Sequence, residues 1–103
     1  MMPRDDGLEA LAARLRELLP LPFADDRPDG VAWWLVEPSG HDPTDFEIGE
    51  RYAAVALATA KQSQEPVLLA MVLRDMVRGG QFSGIEAGFI ASIASAAKAG
   101  AMN

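Results

Sequence analysis

SGIEAGFIASIASAAKAG, residues 83–100, is the stretch on which the fold of this chain turns. Gly84, Gly88, Ser92, Ala96 and Gly100 recur at every fourth position, and Ala87, Ala91, Ser95 and Ala99 form a second series beside them. On an α-helix residues four apart lie above one another, so each series makes a strip with almost no side chain. Successive positions of this kind drift by about 40° around a straight helix, so the two strips merge into one broad small-residue half. The other half holds Ile85, Phe89, Ile90 and Ile93 and belongs in a core. Such a helix has two neighbours to satisfy, and its bare side admits one closer than the usual interaxial distance of roughly 8–10 Å. That neighbour is either the alanine-rich helix ahead of it in the chain or the same helix of a second subunit.

Upstream, three more helices can be placed from their ends and apolar spacing. The first runs from about Leu8 to Leu19, with Asp6 and Glu9 at capping-box spacing and Pro20 and Pro22 as its stop. The second starts near Pro43 and Thr44, capped by Thr44 and Glu47, and continues to about Gln62. Its inner face is expected to be Ile48, Tyr52, Val55, Ala56 and Thr59. The third begins at Pro66 and ends at Gly79-Gly80. Its apolar arc, from Leu68 round to Val77, covers over half the circumference and predicts the most buried helix of the set. Ser83 and Glu86 form a capping box at the start of the fourth, which runs to about Lys98. The expected fold is therefore all-α: one domain over residues 1–103, a bundle of about four helices, with residues 1–5 disordered.

Residues 20–43 join the first two helices and hold five of the seven prolines. Within them residues 31–36, VAWWLV, suit a short extended stretch. No other segment looks like a strand, so an unpaired extended segment is expected. Trp33 and Trp34 are adjacent and point different ways in either a strand or a helix. At least one is expected at a surface or interface, where tryptophan is enriched in binding hot spots. The candidate contact residues are accordingly Gly84, Gly88, Ser92, Ala96, Trp33 and Trp34. Phe23 and Phe82 are expected to lid the core.

Composition narrows the function classes. The net charge is −6, made of −8 in residues 1–50 and +2 in residues 51–103, which opposes binding to nucleic acid or to an anionic membrane. There are no cysteines, so disulfides, thiolate metal sites and cysteine nucleophiles are excluded. The acidic start does not suit a signal peptide, and Arg74, Asp75, Glu86 and Lys98 interrupt the apolar runs. A cytoplasmic protein is expected, and the Ala-rich, Lys-poor style fits a bacterial chain.

Motifs for chemistry are scarce. His41, Asp42, Asp45 and Glu47 are the densest group of potential ligands or proton carriers, but Asp42-Pro43-Thr44-Asp45 reads as a turn and helix cap. Neither a nucleophile elbow nor a phosphate loop is present. Arg74 and Arg78 lie one turn apart and could clamp an anion, or simply flank Asp75 as surface charges. The third and fourth helices have the outline of a helix-turn-helix, but Gly84 to Gly88 offers no side chain that reads base edges. The leading expectation is a non-enzymatic, homodimeric protein-interaction module without cofactor or metal. The alternatives are a transcriptional regulator and a small-ligand binder or enzyme built on His41.

Overall fold

The structure is a computed structural model that describes residues 10–101 with the exception of residue 12. The expected start of the first helix, its Asp6–Glu9 cap and the expected disorder of residues 1–5 lie outside the described residues. Helix α1 comprises residues 10, 11 and 13–16 and then tightens into turns, with Leu18 N–H donating to Leu15 at 2.9 Å. It therefore stops three residues before the Leu19 expected from its leucines. Three further helices follow: α2 (Asp42–Ser63), α3 (Val67–Gly79) and α4 (Gly84–Ala101). The chain is mostly helical, a small bundle with one minor sheet.

That sheet is a two-stranded antiparallel hairpin, β1 (Asp25–Arg27) and β2 (Gly30–Ala32), with Asp26 opposite Val31. The expectation of one unpaired extended stretch at 31–36 is thus corrected. Its first residues have a partner, and the partner is the acidic run before it. The turn between them, Pro28-Asp29, leads into Gly30, whose φ of 135° suits only glycine. Beyond β2 the chain stays alongside its own upstream segment, Leu35 N–H donating to Phe23 at 2.8 Å.

Helices α2 and α4 form the main contact. A Cβ built on Gly84 would fall 2.8 Å from the Asp42 carbonyl, and one on Gly88 2.1 Å from that of Phe46. One on Gly49 would fall 2.1 Å from the Ile85 carbonyl. Positions rise together along both helices, so the two run parallel and touch backbone to backbone. Helix α3 makes the return between them, and Gly80, with φ 70°, closes it by donating its N–H to Val77.

Two expected faces are corrected by this arrangement. Of the expected inner face of α2, Ala56 is buried and Tyr52 packs on the edge of the core, whereas the buried residues are Asp45, Gly49, Ala53, Ala56 and Ala60 and Val55 is exposed. Close approach of a neighbouring helix selects the smallest side chains, and the bulky ones are displaced to the flanks. Helix α3 is buried along a single row, Leu68, Val72 and Met76, while Val77 is 79% exposed, so it is not the enveloped helix its composition suggested. The core is completed by Leu15, Leu21, Phe23, Trp33, Ile85 and Phe89. Among the described residues no helix is long and apolar enough to cross a membrane.

Candidate functional site

The α2–α4 seam separates the two small-residue series. In the first, Gly84 and Gly88 press on α2 of the same chain, Ser92 is half-buried, and Ala96 and Gly100 are exposed. In the second, Ala87 is half-buried while Ala91, Ser95 and Ala99 face outward. The seam thus uses one series over its first two turns and leaves the other as an exposed strip. At the head of that strip a cleft of about 260 Å³ lies between Phe46, Phe82, Gly84 and Ala87. Phe82 does not lid the core as expected: it is 71% exposed on the α3–α4 connection. Ile90, expected in the core arc, is also exposed, because that arc is wider than the groove receiving it.

Both tryptophans lie inward. Trp33 is buried, and its backbone N–H donates to Asp75 Oδ2 at 2.8 Å. Trp34 is half-buried in an aromatic cluster, its ring 4.8 Å from that of Phe89 and 5.7 Å from that of Phe23. Phe23 is fully buried between Trp34, Tyr52 and Phe89, so one of the two expected lids is a central core residue. The indole N–H of Trp34 and the backbone N–H of Trp33 each have a carboxylate partner, Glu86 and Asp75 respectively.

Those partners belong to a set of carboxylates for which sequence reasoning foresaw only a cap. Glu86 is fully buried and accepts from Ser83 N–H (2.6 Å), the Ser83 hydroxyl, Trp34 Nε1 (2.8 Å) and Gln81 Nε2 (3.0 Å). The expected Ser83–Glu86 cap is present, and it doubles as the anchor of Trp34. Burial alone raises the pKa of such a carboxyl, but the Ser83, Trp34 and Gln81 donors outweigh it and hold the group at about 2.

Asp45 plays the same part at the start of α2, accepting from the Ser39 hydroxyl (2.7 Å), Ser39 N–H (3.1 Å) and Gly40 N–H (3.2 Å). The Ser39 hydroxyl is the main cause of its lowered pKa. It displaces the expected Thr44–Glu47 box: α2 starts two residues earlier, and Thr44 Oγ1 meets His41 Nδ1 at 2.8 Å.

Carboxylates held this way stay ionised and saturated with donors, which suits a strut and not a proton carrier. Asp45 turns inward while His41, Asp42 and Glu47 are exposed, so the group does not converge. Among the described residues no three of His, Asp and Glu come together as metal ligands. The helix-turn-helix outline also loses its reading head, since Gly84 and Gly88 abut α2 and Glu86 is buried.

No protein-family model matches the chain, and no curated protein or solved structure does either. The geometry alone must then indicate function. Among the features it leaves outward is the strip Ala91–Ser95–Ala99, continued by the half-buried Ala87 and with the exposed Phe82 at its head. Its signal was present in the sequence as the second small-residue series, beside the one that the chain consumes itself.

Proposed function

We propose that this is a protein-interaction module that works as a homodimer, with the outer strip of α4 as the contact between subunits. The observation that carries the proposal is that Ala91, Ser95 and Ala99 continue outward the small-residue spacing that already makes a close helix contact inside the chain. A flat strip with one large aromatic at its head is self-complementary under a two-fold axis, where each subunit presents the same patch to its copy. With the axis at Ala91 and the helices antiparallel, Ala87 of one subunit faces Ser95 of the other. Of the six residues expected at an interface, Ala96 and the edge of Ser92 remain available to such a contact. Gly84, Gly88, Trp33 and Trp34 act within the subunit.

In this reading the protein acts in the cytoplasm as an adaptor, accessory subunit or inhibitor, the dimer presenting its acidic residues in two copies. Light scattering tests the contact directly. The wild-type chain is expected at twice its 11.0 kDa mass at micromolar concentration, and Ala91→Arg at the single mass with unchanged far-UV circular dichroism. A wild-type monomer, or an Ala91→Arg dimer, rejects the proposed contact.

A further inference from the structure

A second cleft, of about 650 Å³, lies between α1, the hairpin and α3. This is within the size range of small-molecule sites, roughly 300–1,000 Å³. Arg16 from α1, Arg27 from the hairpin, and Arg74 and Arg78 from α3 line it. Four of the nine basic residues of a chain of charge −6 therefore meet at one place, brought from three separate segments. Like charges gathered this way repel one another, and the gathering makes physical sense if an anion resides among them.

Four carboxylates nearby equal the four arginines in number, but they are not all fixed in place. Arg16 pairs with Asp26 at 3.1 Å, Arg27 with Asp25 at 3.0 Å and Arg74 with Asp75 at 3.1 Å, while Asp29 also lines the cleft. Asp25 and Asp26 are half-exposed on the hairpin, and exposed pairs of this kind contribute only about 0–1 kcal/mol each, so a dianion can take their place. Asp75 is held by Trp33 N–H and stays, fixing the Arg74 guanidinium. Arg78, one turn along the same face, pairs with none of the described carboxylates. The remaining wall is apolar, formed by Leu15, Val31, Trp33 and Met71.

We propose that this cleft binds a phosphate monoester with a compact apolar body. Guanidinium groups suit the tetrahedral dianion because each offers a planar fork of donors, and several forks can share one phosphate. Leu15, Trp33 and Met71 receive the body, and Asp29 at the rim disfavours a second anionic group on it. The site stands apart from the α4 strip and does not depend on dimerisation.

Phenyl phosphate is the probe, titrated calorimetrically into the wild-type protein at low ionic strength, with inorganic phosphate and benzoate as comparisons. Phenyl phosphate is expected to bind about tenfold more tightly than either. Arg78→Gln and Arg16→Gln are each expected to weaken it about tenfold, and Arg51→Gln, away from the cleft, to leave it unchanged. Both target side chains are exposed, so the variants should keep the wild-type melting temperature. Absence of binding at millimolar phenyl phosphate overturns the proposal. So does equal affinity for inorganic phosphate or benzoate, or an equal loss in Arg51→Gln.

Discussion

Replacing Gly88 by alanine adds one carbon atom at the point where α4 presses on α2. That atom would sit 2.1 Å from the Phe46 carbonyl oxygen, and the obstacle is helix backbone that no rotamer change can move. Ordinary contact needs about 1.3 Å more, so the helices must separate or slide. Separation also loosens the neighbouring contacts at Gly49, which is just as tight at 2.1 Å, and at Gly84, where the nearest atom is at 2.8 Å. Overpacking of this kind destabilises by about 1–3 kcal/mol, sometimes more, and the widened seam loses dispersion contacts along its length. Alanine's better helix propensity returns about 1 kcal/mol. With the overpacking at the upper end of that range, about 2–3 kcal/mol, the net expectation is a loss of about 1–2 kcal/mol, read as a fall in melting temperature of about 5–15 °C.

Gly100→Ala is the paired control. Its added carbon meets nothing within 4 Å, so only the propensity term acts and the melting temperature should hold or rise. Gly49→Ala should resemble Gly88→Ala, and the double variant should lose less than the sum, since the first added carbon has already opened the seam. Thermal and urea unfolding followed by far-UV circular dichroism measures all four. A Gly88→Ala protein that melts at or above the wild-type temperature would refute the close seam, as would an equal loss in Gly100→Ala.

Three further outcomes follow from the same geometry. Glu86 has a folded pKa of about 2 against an ordinary 4.5, so it contributes up to about 3 kcal/mol that is fully present above pH 4.5 and fades as pH falls toward 2. Urea midpoints of Glu86→Gln should be lower at neutral pH and flatter across that window, and wild-type and variant curves falling in parallel would count against the strut. Trp34→Phe keeps an aromatic ring in the cluster but removes one donor to Glu86, with an expected loss of about 1–3 kcal/mol in urea unfolding; a neutral variant would mean the hydrogen bond carries no weight. Phe82→Ser should leave stability within about 0.5 kcal/mol, because the ring is exposed, yet lower the dimer fraction by light scattering. Unchanged dimerisation in that variant would place the subunit contact elsewhere.

The helix count, α3 from Pro66 to Gly79, the Ser83–Glu86 cap and the mostly helical class could be read directly from the residues, because caps, prolines and terminal glycines act within a few residues of themselves. Asp25–Arg27 could not be read as a strand from composition, since Asp-Asp-Arg has neither apolar alternation nor β-propensity. Pro28-Asp29-Gly30 was the available signal: it is a turn sequence, and a tight turn brings together whatever flanks it. The inner face of α2 was misassigned for a related reason. Hydrophobic periodicity favours Ile48 and Val55 beside Ala56, whereas a neighbour at backbone distance favours Gly49, Ala53 and Ala60 with it.

By itself, then, the sequence determined that residues 83–100 form a helix with one bulky and one bare side, because side-chain size and i,i+4 spacing are local properties. Which neighbour each part of the bare side meets is not local. Helix α2 lies against Gly84 and Gly88 because α3 returns the chain to the start of α2, and the parallel contact is spent within the first two turns. The series through Ala91 and Ser95 stays outward because a cylinder presents only one side to one neighbour. Only tertiary structure decided, in the same way, that arginines from α1, the hairpin and α3 share a cleft. Residues up to 62 positions apart meet there, and no spacing rule reaches that far.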